Sequence, residues 1–210
     1  MLTRNLYKVM QNDKIRIIFY DFETTGFNPY HDEIIEIGAI DNLGGSYSRL
    51  LKSKNPLRKK ITEITGITDS LLKKKGVTQK YGLKQFVNFL NQYTNLYSEN
   101  KIYMVAHNND SFDQLFLNYQ LQKHNLTINP NIMFIDTLRL SQLVRPNEQY
   151  HNMNSLCNYF DIENKSCHRA MGDAEALSKI FYPLLTIFRQ TYKNKDLDFV
   201  AHKLKNPFST

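Results

Sequence analysis

The sequence lacks tryptophan altogether and carries only two cysteines, Cys157 and Cys167, among its 210 residues. The two cysteines do not form a CxxC pair, and no Cys and His spacing of the zinc-finger type occurs. A small disulfide-stapled secreted domain and a structural zinc site are therefore both excluded. We expect two unpaired thiols in a reducing, intracellular setting, with a disulfide between them as the open alternative. With 8 glycines and 6 prolines, the chain has too few of either for a fibrous or linker-like protein.

Long apolar runs are also missing. No segment approaches the ~20 consecutive apolar residues of a membrane-spanning helix. The N-terminal residues MLTRNLYKVMQNDK contain no apolar run of the kind found in a signal peptide. We therefore expect a soluble, intracellular protein, cytoplasmic or nuclear, with no membrane partner.

Negative charge is scarcer than positive charge, because 20 Asp and Glu stand against 27 Lys and Arg, for a net charge of +7. The positive excess favours a polyanionic partner such as nucleic acid. The 41% hydrophobic and 12% aromatic content rules out a disordered chain. A chain of this length suits one globular domain. We place that domain at residues 1–210, with a core at about 15–190 and a basic C-terminal extension at 191–210.

Three short strands, rich in β-branched and aromatic side chains, are predicted near the N-terminus at residues 15–20, 33–40 and 46–51. Asn42, Gly44 and Gly45 lie between the last two strands and are typical of a hairpin turn. The three strands should therefore be antiparallel. Residues 52–75 should form a basic and mostly irregular connection.

After this connection the apolar residues recur at helical spacing. Helices are predicted from Gln79, after a strand at 102–106, after a second strand at 132–135, and from Ala170 onward. This order of elements predicts an α/β fold. Its single mixed sheet would have three antiparallel N-terminal strands plus parallel strands, flanked by helices.

Two carboxylates, Asp21 and Glu23, stand at the end of the first predicted strand, in the segment DFETTG. They share odd-numbered positions with Ile17 and Phe19, so all four side chains should project to the same inward face. Two bare carboxylates ~4 Å apart repel by about 4 kcal/mol at an effective dielectric constant near 20. A hard divalent cation such as Mg2+ offsets that cost. A pair of solvated strand-end acids is the alternative at this point.

A third carboxylate, Asp113, follows the predicted strand at 102–106, in the segment HNNDSFD. Asp110 in the same segment is predicted to cap the next helix. This capping would place Asp113 in the first turn of that helix, near the end of the strand. An acid attracted only by the helix dipole is the alternative.

The segment CHRAMGDAEAL adds a fourth carboxylate and a histidine. Asp173 precedes Leu177 by four residues and Ile180 by seven, so it should lie on the buried stripe of the final helix. That is an unusual place for an acid. His168, five residues earlier, should occupy a loop from which its imidazole can reach the same site. A purely structural histidine is the alternative.

Asp21, Glu23, Asp113 and Asp173 all fall at strand ends or helix starts that a mixed sheet can bring together. Their four negative charges are balanced by two Mg2+ ions, for which Mn2+ can substitute. Two such ions act as a clamp for in-line phosphoryl displacement. His168 would be the general base, since the ordinary pKa of histidine near 6.5 suits proton transfer at neutral pH.

Three motifs in this order resemble those of the DEDDh (DnaQ-like) 3′→5′ exonucleases, a family with the ribonuclease H-like fold: DFETTG, HNNDSFD and HRAMGDAE. The strand DEIIEIGAI and the loop ITGITD are also similar to those of the family, so the resemblance covers roughly residues 15–185. It implies hydrolysis with two metal ions that releases nucleoside 5′-monophosphates from a 3′ end.

The resemblance also implies a role for each catalytic residue. Asp21 would bridge both metal ions. Glu23 and Asp173 would bind the ion that activates water, and Asp113 would hold the second ion. His168 would deprotonate the nucleophile.

Substrate contacts are implied next to the acids. Backbone amides at Thr24, Thr25 and Gly26 would receive the terminal nucleotide, and Asn108 would face the substrate or support the site. The segment before Asp113 is one residue longer than the common HNxxFD motif, and this second motif is similar to that of the TREX branch. The rest of the sequence is equally similar to proofreading domains of bacterial replicative polymerases, so the branch stays open.

Basic and aromatic residues near these motifs are candidates for contacts with a nucleic-acid chain. The basic stretches at 52–60 and 73–75 are either an electrostatic track for phosphates or a solvated face. Phe27 and Tyr30, just after DFETTG, would either stack on terminal bases or pack within the protein.

From these residues we expect a metal-dependent 3′→5′ exonuclease that acts on DNA and prefers single-stranded or frayed ends. The same chemistry on RNA or short oligoribonucleotides is the first alternative, because no residue is identified that would recognise a 2′-hydroxyl. An inactive nucleic-acid-binding module is the second. A polymerase partner and a homodimer both stay open.

Overall fold

A five-stranded mixed sheet organises the chain in a computed structural model that describes residues 15–92, 101–193 and 195–205. Its strands are β1 Ile15–Thr24, β2 Ile34–Asp41, β3 Ser46–Leu50, β4 Lys101–Ala106 and β5 Ile132–Asp136, in the order β3-β2-β1-β4-β5. The first three strands are antiparallel, and β4 and β5 run parallel to β1. The predicted fold class is confirmed, with β1 at the centre of the sheet.

Helices cover both faces of this sheet. They are α1 Lys59–Thr65, α2 Asp69–Lys75, α3 Gln79–Asn91, α4 Asp113–Lys123, α5 Thr137–Val144, α6 Met153–Tyr159, α7 Ala170–Thr191 and α8 Leu197–Lys205. Ile17 and Phe19 of β1 pack with α7 on one face, and Ile18 and Tyr20 pack with α3 and α4 on the other. Within the described ranges, no helix is both long and apolar enough to cross a lipid bilayer.

Strand β1 is longer than predicted. It continues past residue 20 to Thr24 because β2 pairs with it, with Asp21 opposite Gly38 and Glu23 opposite Glu36. Acids are uncommon in strands, so the residue types after position 20 do not predict a strand. The strand continues there because β2 pairs with it. The two acids therefore lie on a rigid, paired strand.

The connection at 52–75 is not mostly irregular, as predicted from the sequence, because it contains the two short helices α1 and α2. Gly66 ends α1 with a left-handed backbone (φ 69°), which glycine adopts at little cost. The hydroxyl of Thr68 accepts a hydrogen bond from the Leu71 N–H and caps α2. Ile67, between the two helices, and Leu72 of α2 pack against Ile35 of the sheet in a small separate cluster.

The core extends into the segment 191–210 that the sequence placed beyond it. Helix α8 buries a stripe of apolar side chains within the main core: Leu197, Val200, Ala201 and Leu204. Asp198 at its start accepts a hydrogen bond of 2.5 Å from the Tyr103 hydroxyl and forms an ion pair with Lys101, both on β4. The apolar pattern of the helix predicted from Gln79 includes Tyr93, which lies outside the described ranges.

Candidate active site

Three carboxylates meet where β1 passes beneath the start of α7. The odd-numbered face of β1 carries Asp21 and Glu23 toward α7, whose first turn contains Asp173. One carboxylate oxygen from each residue lies within 4.8 Å of the others, and all three residues are partly buried. Carboxylate oxygens at this spacing match the ligands that Mg2+ takes in proteins.

Asp113 approaches from the free edge of β1. The last pair between β1 and β4 joins Phe19 to Val105, so beyond Phe19 no strand of the described residues pairs with β1 on that side. There the Phe22 N–H donates to Asp113 Oδ1 at 3.1 Å, which fixes the buried Asp113 side chain against the strand. Its carboxylate is not within the group of three, yet its charge is the neighbouring charge that most raises the pKa of Asp21. The four predicted acids therefore lie in one region.

Burial and mutual repulsion favour the protonated forms of these acids. Burial, followed by the charges of Asp113 and Glu23, raises the pKa of Asp21 well above its usual value. Burial also raises the pKa of Asp113 and of Asp173. Burial and the charges of Asp173 and Glu36 raise the pKa of Glu23 to about 8. A site that resists ionisation in this way gains stability from a bound cation.

We predict that Glu23→Gln stabilises the metal-free protein as the pH rises. Glu23 is protonated in both states below its unfolded pKa of about 4.5, and the folded state loses stability as the pH rises toward about 8. Glutamine has no such titration. In EDTA, the melting temperature of the variant should exceed that of the wild type by several degrees at pH 8.5, with little difference at pH 4.5.

The matched control for this measurement is Glu175→Gln, which changes an exposed acid on the same helix as Asp173. It should leave the pH dependence of melting as in the wild type. Identical pH profiles for Glu23→Gln and the wild type would contradict the account of this cluster.

His168 lies in an exposed turn just before α7, which is the loop position predicted for it. Its backbone has a positive φ of 61°, and its N–H donates to Asp173 Oδ2 at 3.0 Å. The other oxygen of Asp173 accepts from the Asn164 amide at 2.6 Å. The turn that carries the histidine is thus tied directly to one acid of the cluster.

The segment after Glu23 is already well paired. Thr25 donates its N–H to the Glu33 carbonyl at 2.9 Å, and its own carbonyl accepts from Arg58 Nη2 at 2.5 Å. The Thr24 hydroxyl donates to the Gly26 carbonyl at 2.6 Å. The predicted contact of the Thr25 amide with a nucleotide would require this amide to exchange partners.

The additional residue in the second motif forms part of a 3-10 turn at Asn109–Ser111. Asn109 is fully buried and accepts a hydrogen bond from the Tyr20 hydroxyl. Asn108 has a positive φ of 61° and lies at the start of this turn. The predicted cap at Asp110 is wrong, because α4 begins only at Asp113 and no side chain of the described residues caps it.

Asp110 instead forms an ion pair with Arg139, with 3.0 Å between Oδ2 and Nε. The residue that holds the turn is Asp136, which sequence reasoning did not assign to the site. Its buried carboxylate accepts the N–H of Asn108 at 3.0 Å and of Asp110 at 3.1 Å. Its position between a strand and a helix was visible in the sequence, but its partners were not.

His107, the first residue of the segment HNNDSFD, is largely enclosed beside this turn. Its Nδ1 lies 3.0 Å from the Thr137 hydroxyl. Burial lowers the pKa of His107 to about 4. It is therefore a neutral member of the fold around neutral pH.

Two aromatic rings in the segment that follows β1 project into solvent. Phe27 is 84% exposed and Tyr30 is 68% exposed, although each has an edge-on aromatic neighbour. The ring of Phe27 lies 6.2 Å from that of Phe112, and the ring of Tyr30 lies 5.2 Å from that of Tyr119. Such exposure leaves ring faces open to a ligand.

A mixed sheet whose central strand carries paired acids, with further acids at the starts of two helices, is the arrangement of a ribonuclease H-like fold. The sequence model of the RNase T exonuclease family matches residues 18–181. The chain belongs to this exonuclease family, of the DEDDh (DnaQ-like) type indicated by its motifs. The predictions that the chain belongs to this family and that it is an exonuclease domain are confirmed.

Curated relatives of the chain include long DNA polymerases. DNA polymerase III of PolC type from Mycoplasma genitalium is 36% identical over 171 residues, which cover 79% of this chain and 11% of the relative. The PolC-type enzyme of Oceanobacillus iheyensis is 34% identical over 209 residues, which cover 97% of this chain and 13% of the relative. The chain thus spans a small part of the length of these relatives.

Solved structures support the fold. E. coli exonuclease I in complex with a dT13 oligonucleotide superposes with a TM-score of 0.72 at 18% identity, over 85% of this chain and 42% of that chain. A zinc-bound complex of E. coli exonuclease I with single-stranded DNA gives a TM-score of 0.71 at 19% identity, over 86% and 43%.

Proposed function

We propose that this domain hydrolyses phosphodiester bonds from the 3′ end of DNA, prefers single-stranded or frayed ends, and releases nucleoside 5′-monophosphates. The observation that carries this proposal is the group formed by Asp21, Glu23 and Asp173 within 4.8 Å, with the buried Asp113 beside it. Acids whose pKa values are raised by burial and by one another are typical of functional sites.

The donor set fits two divalent ions, Mg2+ with Mn2+ as a substitute. Asp21, Glu23 and Asp173 would hold one ion, and Asp21 with Asp113 would hold the second. Two such ions, when bound, activate water and stabilise the oxygen that leaves on the shortened nucleic-acid chain. The carboxylates orient the reacting groups, since three of them are fixed to a paired strand or to its backbone.

His168 is the general base in this proposal. Its turn is exposed, so the imidazole has room to move, and its backbone is bonded to Asp173. From there the imidazole would accept the proton of the attacking water. Positioned general bases typically contribute 10²–10⁴-fold to a rate, on the order of 3–5 kcal/mol.

Several observations favour DNA with a free single-stranded end. The exposed rings of Phe27 and Tyr30 offer stacking surfaces that suit unpaired bases. Asn108, proposed to face the substrate or support the site, lies on the turn that leads to Asp113. The relatives reported above are DNA polymerases, and one of the structural neighbours was solved with a DNA oligonucleotide. The net charge of +7 favours a polyanion.

Within this proposal the chain acts as one exonuclease domain with a polymerase as protein partner. Support comes from the PolC-type relatives, in which the matched region is only 11% to 13% of the length. A homodimer stays a prediction. The free thiols of Cys157 and Cys167 are compatible with the expected intracellular setting.

The direct test uses 5′-labelled single-stranded DNA and its RNA counterpart with the protein and Mg2+. We expect a ladder that shortens from the 3′ end, faster on DNA, with nucleoside 5′-monophosphates as products and no cleavage in EDTA. Faster shortening of RNA would overturn the choice of substrate. Tight binding in EDTA without any cleavage would show a nucleic-acid-binding module instead.

A further inference from the structure

A fifth carboxylate, Glu36, lies beside the acid cluster, but its hydrogen bonds go to residues outside the cluster. Glu36 is opposite Glu23 in the pairing of β1 with β2, and its side chain is only 4% exposed. Its two oxygens accept from Arg169, Nε at 2.9 Å and Nη2 at 2.5 Å, and Oε2 also accepts from the Ala170 N–H at 3.1 Å. Glu36 is therefore a bidentate anchor for the first residues of α7.

Strand β2 holds the same helix start at a second point. Gly38, two residues further along the same face, lies directly under the backbone of Ala170 and Met171. A Cβ atom at this glycine would overlap the helix backbone. The first residues of α7 therefore contact β2 at two points. They lie on the backbone of Gly38, and they are bonded to the buried carboxylate of Glu36.

His168 lies immediately before this anchored residue pair. A non-glycine residue with a left-handed backbone costs about 1–3 kcal/mol, and surrounding contacts must maintain it. At His168 those contacts lie on both sides: its own N–H is bonded to Asp173, and Arg169 and Ala170 are bonded to Glu36. These bonds hold the backbone conformation of His168.

We propose that Glu36 and Arg169 are positioning residues that fix the hinge from which His168 reaches the active site. The inference rests on the proposed function only in taking His168 as the base. Glu36 does not serve as a fifth metal ligand in this account, because both its oxygens are used by Arg169 and it is not among the three grouped acids. Breaking the pair would leave the buried charge of Glu36 uncompensated, so the pair should persist through the reaction cycle.

The test is Arg169→Met, which removes the guanidinium donors and keeps an unbranched side chain. We expect kcat on single-stranded DNA to fall by about 10–100-fold, since small misplacements of catalytic groups have effects of that order. KM and the Mg2+ dependence should stay within about twofold. Amide hydrogen exchange at His168 and Ala170 should accelerate, while exchange in β4 should not. Arg169→Lys should restore part of kcat.

The matched control is Arg139→Met, which breaks an ion pair of similar exposure, 45% for Arg139 against 44% for Arg169. It should leave kcat and exchange at the hinge unchanged. Glu36→Gln provides a second, isosteric variant that removes the anchor from the other side, in case Arg169→Met does not fold.

Unchanged exchange at His168 and Ala170 in a folded variant would overturn the inference, whatever happens to the rate. Faster exchange throughout the sheet would also overturn it, because the pair would then be a general stabiliser. If the wild-type chain showed no nuclease activity, the proposed function would fail, while the exchange data would still decide whether the pair anchors this hinge.

Discussion

Replacement of Asp173 by alanine should reduce hydrolysis of single-stranded DNA by on the order of 10³-fold or more while the protein stays folded. Asp173 supplies one of the three carboxylates within 4.8 Å, and a bound metal ion contributes several kcal/mol of charge stabilisation in the transition state. In EDTA, the variant should melt no lower than the wild type, because one of several repelling acids has been removed. Rates on 5′-labelled DNA and melting curves check both parts.

Asp113→Ala should have the same effect on turnover, since its carboxylate lies beside Asp21. The control is Glu175→Ala, an exposed acid two residues after Asp173 that is outside the group of three. It should keep full activity. Full activity in Asp173→Ala would exclude the metal assignment for this acid.

His168→Ala should lose 10²–10⁴-fold in rate, the usual scale for a general base, and keep its affinity for both metal and DNA. The imidazole supplies a proton acceptor and no ligand in the proposed site, so binding does not depend on it. Single-turnover rates and DNA affinity in Ca2+, which supports binding in place of Mg2+, separate the two effects.

Lys165→Ala changes an exposed residue in the same turn and serves as the control. It should alter neither rate nor affinity. An unchanged rate in His168→Ala would return this histidine to a structural role. Loss of DNA binding in the same variant would instead indicate that it contacts the substrate.

The acids could be found from the sequence because local order determines where they lie. Asp21 and Glu23 follow a buried apolar run, and their odd positions fix the face on which they project. Asp173 stands at helical spacing from buried residues of α7. The motif order then identified the family, and the sheet placed the motifs together.

The supports of the site were not predictable in the same way, because they are long-range contacts. The sequence shows Glu36 only as an acid within an apolar strand. Its contact with Arg169, 133 residues away in sequence, is seen only in the structure. Asp136 holds the turn before Asp113 across 26 to 28 residues. Asp110 was misjudged for the same reason, since its partner Arg139 lies on a helix that local sequence does not bring near.

The central claim is that four acids of this chain hold two metal ions, and a crystal structure with Mn2+ and a nucleoside 5′-monophosphate tests it most directly. Anomalous difference density should show two ions about 3.5–4 Å apart. One should lie among Asp21, Glu23 and Asp173, and the other between Asp21 and Asp113. Density for a single ion, or for none at these carboxylates under saturating Mn2+, would contradict the two-metal account.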